Sequence, residues 1–134
     1  MIGLDTNVLV RYLVQDDKAQ STAATRLVEK VLTSETPGFI SLVALVEVVW
    51  VLESCYHCTR QEVAAIIERL LRVKQMRVQN AEVVWRAWRL YAAGKADFVD
   101  CLIERTGHAH ECMYTVTFDK NAANSVGMQL LTKS

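Results

Sequence analysis

The sequence predicts an α/β protein in which a small parallel sheet is sandwiched by helices. Three observations carry this prediction. The 134 residues are one domain's worth of chain and enough to bury a single core, so a single domain is expected. Gly and Pro together number six, under half the share of average usage, which disfavours the tight turns of an all-β fold and the loops of a disordered chain. Short apolar runs, two of them ending in an acid, alternate with longer stretches at helical spacing, as strands feeding helices in a parallel sheet do.

The elements follow in order. The run Ile2-Gly-Leu-Asp5 reads as a strand; Thr6 and Asn7 then precede Val8, Leu9, Tyr12 and Leu13 at helical spacing. A second helix is expected over residues 17–32, with Ala23, Ala24, Leu27, Val28 and Val31 on one face, and Pro37 with Gly38 ends the connection. Phe39 and Ile40 form a short strand. Ser41 then caps a helix through Leu52, because a fourteen-residue apolar run over 39–52 is too long for a strand despite its five valines. Thr59 caps the next helix, whose apolar positions are Val63, Ile66, Ile67, Leu70 and Leu71, and residues 73–78 contain a strand. A helix from 80 or 81 to 93 is stopped by Gly94, and one over 96–106 by Gly107. Residues 114–118 are a strand ending in Asp119, and residues 128–132 are the last.

Composition removes several function classes. Lys+Arg and Asp+Glu both number 15, so there is no global basic field and no acidic tail, and charge has to be read locally. The longest apolar run is broken by Ser41 and Glu47, and a membrane span needs roughly 20 apolar residues. The first residues lack a basic stretch followed by an apolar one, so a soluble cytoplasmic protein is the expectation. Four cysteines (Cys55, Cys58, Cys101, Cys112) are expected as free thiols, small buried hydrophobes plus a loop thiol. The CxxC spacing of Cys55 and Cys58, with His108, His110 and Cys112 later in the chain, raises a zinc site; against it, Cys101 and Cys112 do not form a second close ligand pair.

Three sets of acids stand where strands hand over to helices: Asp5, Asp97 with Asp100, and Asp119. In an open parallel sheet the carboxyl ends of the strands converge on one crevice, the usual ligand site. Glu47 lies in the most apolar stretch of the chain, where a buried carboxylate is costly unless paired or metal-bound. Asp97 reads as a helix N-cap and Asp100 as the acid facing the site, while Asp5 and Asp119 also suit strand-end and cap roles. A carboxylate set is a hard oxygen site suited to Mg²⁺ or Mn²⁺ rather than zinc. Clustered carboxylates repel and would partly protonate without a cation. Such ions ligate phosphate oxygens, activate water and stabilise a leaving oxygen, so phosphodiester hydrolysis is the natural chemistry. Residues 60–95 agree, with eight basic and three acidic side chains, net +5 against −5 for the rest of the chain. Arg69, Arg72 and Arg86 are therefore candidates for a phosphate-contacting rim, against the plainer reading of solvated helix faces.

Four segments, Met-Ile-Gly-Leu-Asp5-Thr-Asn-Val-Leu-Val, Ile-Ser-Leu-Val-Ala-Leu-Val-Glu47, Ala-Asp97-Phe-Val-Asp100-Cys-Leu-Ile and Thr-Val-Thr-Phe-Asp119-Lys, together resemble the PIN-domain proteins of the VapC toxin group. The resemblance covers essentially the whole chain. It implies a three-layer α/β/α sandwich around a small, mostly parallel sheet, and a Mg²⁺-dependent endoribonuclease with Mn²⁺ as substitute. It also implies inhibition by a VapB-like antitoxin, a homodimer and a toxin–antitoxin hetero-oligomer. By the same resemblance Asp5 and Asp100 match the main metal-ligand acids, Glu47 the third and Asp119 the fourth; Asp97 is an additional acid of one branch. The helix residues Val10, Leu13 and Val14 are candidates to seat an antitoxin helix, or equally core or dimer contacts. A PIN nuclease of nucleic-acid maturation is the alternative enzyme. A receiver-like phosphoacceptor would need paired acids after the first strand, where only Asp5 stands, and a catalytically dead module would be expected to have lost acids that are all present.

Overall fold

Strand and helix alternate along the chain as predicted, in an α/β architecture whose strands all pair in parallel. The computed structural model describes residues 1–132. The chain divides into two compact units, Met1–Ala81 and Glu82–Ser134, and among the described residues it carries seven α-helices, one π-helical turn and five strands.

The first unit contains β1 (Ile2–Gly3), α1 (Thr6–Val14), α2 (Lys18–Arg26), β2 (Gly38–Ile40), α3 (Leu42–Ser54), α4 (Arg60–Arg72) and β3 (Met76–Val78). Its sheet runs β1-β2-β3, with Ile2 opposite Gly38 and Phe39 opposite Arg77. Central β2 is short, and at Gly38 the side chains of Leu4 and Leu32 close in so that a Cβ would lie 2.6 Å from one and 2.9 Å from the other and would make both leucines shift. Both leucines thus close over the strand and are buried. α3 packs against α1 and α4, and α4 against β3. The core they share is Leu9, Ile40, Leu45, Val48, Leu52, Val63 and Ile67, each worth about 1.5–3 kcal/mol on burial. Ser41 caps α3 by accepting from the Ala44 N–H, and Thr59 with Glu62 forms a full capping box on α4.

The expected helix over 17–32 is α-helical only to Arg26, then widens into a π-helical turn, Leu27–Val31. An i→i+5 turn inserts one extra residue and rotates the next side chains off the buried face. Val31 is accordingly exposed; of the predicted stripe Ala24 and Val28 are buried, joined by Ser21, while Leu27 is half-buried and Ala23 exposed. Val10 is buried core, so it is not an exposed docking residue, while Leu13 and Val14 are half-buried.

The second unit holds most of α5 (Ala81–Ala93), then α6 (Phe98–Ala109), β4 (Val116–Thr117), α7 (Lys120–Val126) and β5 (Gln129–Leu130). β4 and β5 form a parallel two-stranded ladder, shorter than the runs 114–118 and 128–132 expected for them, and α7 packs on α6 and both strands. Tyr91 and Phe98, both fully buried, meet edge to face with ring centroids 5.5 Å apart across the α5–α6 turn at Gly94. Gly107 does not stop α6, which continues to Ala109. It is a close-approach glycine, since a Cβ there would sit 2.9 Å from Thr115 Oγ1. No helix among the described residues is long and apolar enough to cross a membrane. All four cysteines are free thiols, but only Cys101 is a buried one; Cys55 and Cys112 are exposed on loops, against the expectation for most of them.

Candidate functional site

Within the first unit, Asp5 stands two residues after β1 and caps α1, its Oδ1 accepting from the Thr6 N–H at 2.8 Å. Thr6 is buried, on the same face as Leu9 and Val10, and its Oγ1 donates to Glu47 Oε1 at 2.9 Å. One threonine therefore ties the end of the first strand to the middle of α3. Glu47 itself is exposed, which corrects the expectation of a buried carboxylate. Val43, Glu47 and Trp50 are four and three residues apart, one solvent-facing stripe on a helix whose other positions supply the core. Glu47 thus bears no large desolvation cost, and its hydrogen bond to Thr6 marks its place.

Within the second unit the structure brings Asp97, Asp100 and Asp119 around one small cavity of about 90 Å³, completed by Ala96, Asn121 and Ala122. Asp100, in the first turn of α6, has its carboxyl pushed up from the usual range, first by burial and then by the charges of Asp97 and Asp119. Asp119 occupies the N-cap of α7, its Oδ1 accepting from the Asn121 N–H at 2.8 Å. Asp97 stands at the N-cap position of α6 but makes no side-chain cap hydrogen bond. Asp97 thus holds the predicted N-cap position without the predicted cap bond, and it lines the cavity.

The three carboxylates at that cavity are the hard oxygen ligands that divalent cations take, and a cation there would offset both the burial of Asp100 and its repulsion by Asp97 and Asp119. The side chains as placed are not a closed coordination shell. Among the described residues of either unit, no three His, Cys, Asp or Glu side chains are close enough to hold one ion together, the Cys55–Cys58 segment included. Asp5 with Glu47 and the Asp97–Asp100–Asp119 group are two acidic groups, one in each unit.

The arginines of the predicted rim are differently engaged. Arg69 lies over the Tyr12 ring at 5.1 Å, and Arg72 pairs with Glu68 at 3.1 Å one helical turn away. Arg86 is exposed on α5. Two features escaped the sequence reading. Thr6 looks in the sequence like no more than a helix start, although its spacing from Leu9 and Val10 marks an inward position. Tyr56 donates to Asp16 at 2.7 Å and accepts from Arg11 at 3.3 Å, joining the α1–α2 and α3–α4 loops; no local pattern announces a contact across forty residues.

A profile of the PIN domain matches residues 2–126. A VapC ribonuclease of Aquifex aeolicus is 25% identical over 99 residues, covering 74% of this chain and 73% of that protein.

Proposed function

The chain belongs to the PIN-domain family, whose members are typically nucleases that use a divalent metal, and from that premise we propose that it is a Mg²⁺-dependent endoribonuclease acting as the toxin of a toxin–antitoxin pair. The observation that carries the hydrolytic reading is the second unit's cavity, with three carboxylates around it and Asp100 held above its ordinary range. The ribonuclease and toxin readings draw on the likeness to the VapC ribonuclease.

In this reading residues 1–134 act as one PIN domain, as a profile running through both units supports. Asp5 and Asp100 are the principal metal ligands, with Glu47 and Asp119 as the further acids and Asp97 as an additional ligand. The ion, Mg²⁺ or Mn²⁺, supplies charge neutralisation at the phosphate and an activated water for its hydrolysis. The chain's own residues prepare that chemistry. Thr6 holds one Glu47 oxygen, and the Asn121 N–H holds one Asp119 oxygen, so each carboxylate keeps a second oxygen for a cation. The burial of Asp100 makes it the acid with most to gain from one. A VapB-like antitoxin, a homodimer and a hetero-oligomer of the two proteins complete the proposal.

Cleavage of a labelled RNA in Mg²⁺, Mn²⁺ and excess chelator tests the chemistry. Cleavage is expected only with the cation, and its loss is expected in Asp5→Asn and Asp100→Asn with an unchanged circular dichroism spectrum. Cleavage that survives chelation or the Asp100→Asn substitution overturns the reading. Growth arrest on expression, absent for Asp100→Asn, tests the toxin role.

A further inference from the structure

The loop between α3 and α4 carries two free thiols, Cys55 and Cys58, on either side of Tyr56 and His57. It folds back on the helix it leaves. The Cys55 N–H donates to the Val51 carbonyl at 2.8 Å, and the Cys58 N–H to the Leu52 carbonyl at 2.9 Å. Three residues run straight would separate two Cα atoms by roughly 10 Å, beyond the range of about 4.4–6.8 Å that a disulfide accepts. A loop that returns both cysteines to the last turn of one helix keeps them nearer. A metal is the other use of such a pair, but among the described residues no third His, Cys, Asp or Glu joins these two.

The thiols are unlike. Cys55 is exposed, whereas Cys58 is half-buried and its thiol is pushed up by burial and then by the charges of Glu62 and Glu53. Cys55 is therefore the sulfur that a reagent meets first. The residue between them is tied elsewhere in the same unit: the Tyr56 hydroxyl donates to Asp16 Oδ2 at 2.7 Å and accepts from Arg11 Nη1 at 3.3 Å. Joining the two sulfurs has to move the backbone somewhere. With both cysteine N–H groups anchored on α3, the change falls on Tyr56 and on His57, which already holds a left-handed φ of 53°. A rigid ring turned at its base carries its hydroxyl away from both partners.

We propose that Cys55 and Cys58 are a reversible thiol–disulfide site whose closure unties the α3–α4 loop from Arg11 and Asp16. The oxidant is a low-molecular-weight disulfide such as glutathione disulfide. Cys55 Sγ, as thiolate, attacks one of its sulfurs, the small S–S bond breaks, and one thiolate leaves with the bonding pair. Cys58 then gives its proton to solvent and attacks Cys55 Sγ, and the second small thiolate leaves. Two protein thiols are oxidised and one small disulfide is reduced to two thiols, and excess thiol runs both steps backwards. A bridge over so short a loop adds little chain-entropy stability, so its use lies in opening and closing.

The test equilibrates the full chain with mixtures of glutathione and glutathione disulfide, quenches by alkylation, and maps the products by peptide mass. Wild type is expected to form the Cys55–Cys58 bridge, and Cys58→Ser to stop at a mixed disulfide on Cys55. Because the Tyr56 hydroxyl bonds to charged groups that closure must release, Tyr56→Phe is expected to reach half-closure at an oxidised-to-reduced ratio about tenfold lower. Mixed disulfides without a bridge overturn the site. A Tyr56→Phe midpoint equal to that of wild type, or displaced the other way, overturns the untying. Equimolar Zn²⁺ that shields both thiols of the reduced protein from alkylation would assign the pair to a metal and overturn the redox role.

Discussion

Asp100 carries an electrostatic cost within its own unit. Its folded pKa is raised, by burial first and by Asp97 and Asp119 next. A raised folded pKa means that the stability this group contributes is fully present below the unfolded value, roughly 4, and is lost as pH rises through the folded value. At neutral pH the charged carboxylate therefore opposes folding. Thermal unfolding in chelator is expected to show Asp100→Asn more stable than wild type at pH 7, with the difference shrinking on acidification. An unchanged or lower melting temperature would contradict the strain assigned to this site. The neighbouring acids separate differently. Asp119→Ala is expected to cost about 1 kcal/mol through loss of the α7 cap, Asp119→Asn only a few tenths, and Asp97→Ala none through capping, since it makes no cap bond. Denaturant titrations of the three variants measure this ordering.

At the scale of elements, Gly107 offers a clean experiment because two effects oppose. Alanine in a helix interior is favoured over glycine by about 1 kcal/mol, but here its Cβ meets Thr115 Oγ1 at 2.9 Å. Gly107→Ala alone is expected to forfeit that gain, and Gly107→Ala in a Thr115→Ala background to recover it. A double-mutant cycle with no coupling would rule out the contact. The same glycine shows where sequence falls short. A glycine that ends a helix and one that admits a neighbour look identical in one dimension, so α6 was expected to stop at 106 and runs to Ala109. Helix starts were legible because Ser41 and Thr59 announce themselves as caps, and both make the expected bonds. The strand-end positions of Asp5 and Asp119 were legible for a related reason: a short apolar run closed by an acid leaves few alternatives. Glu47 was misjudged because average hydropathy hides direction. The stripe through Val43, Glu47 and Trp50 faces solvent, and only the helical period reveals it. The π-helical turn at Leu27–Val31 has no composition that marks it.

Over the whole molecule the formal charge is zero, yet residues 60–95 carry +5 and the remainder −5. An RNA-binding protein built this way owes its affinity to local charge, and affinity should fall with salt as counterions are released. The structure refines which arginines test this. Arg69 and Arg72 are engaged with Tyr12 and Glu68, so reversing them perturbs packing as well as charge. Arg77, Arg86 and Arg89 are exposed, and their joint reversal to glutamate is expected to weaken RNA binding and flatten its salt slope by about 0.7 per lost phosphate contact, with metal affinity unchanged. Fluorescence anisotropy across a salt series measures both quantities. An unaltered slope would return these residues to the role of a solvated surface.

Asp119 closes α7 with one carboxylate oxygen and reaches the cavity on the same side chain. That dual employment bears on how such a chain would decay if selection for cleavage lapsed. Asp100, whose charge only burdens the fold, would drift first, and its replacement by a neutral residue would be welcomed by stability. Asp119 would persist, or pass to asparagine, for the sake of the helix it starts. Among descendants of this protein, a surviving acid at 119 would record inherited architecture, and the acid at 100 would be the one whose presence records a working enzyme.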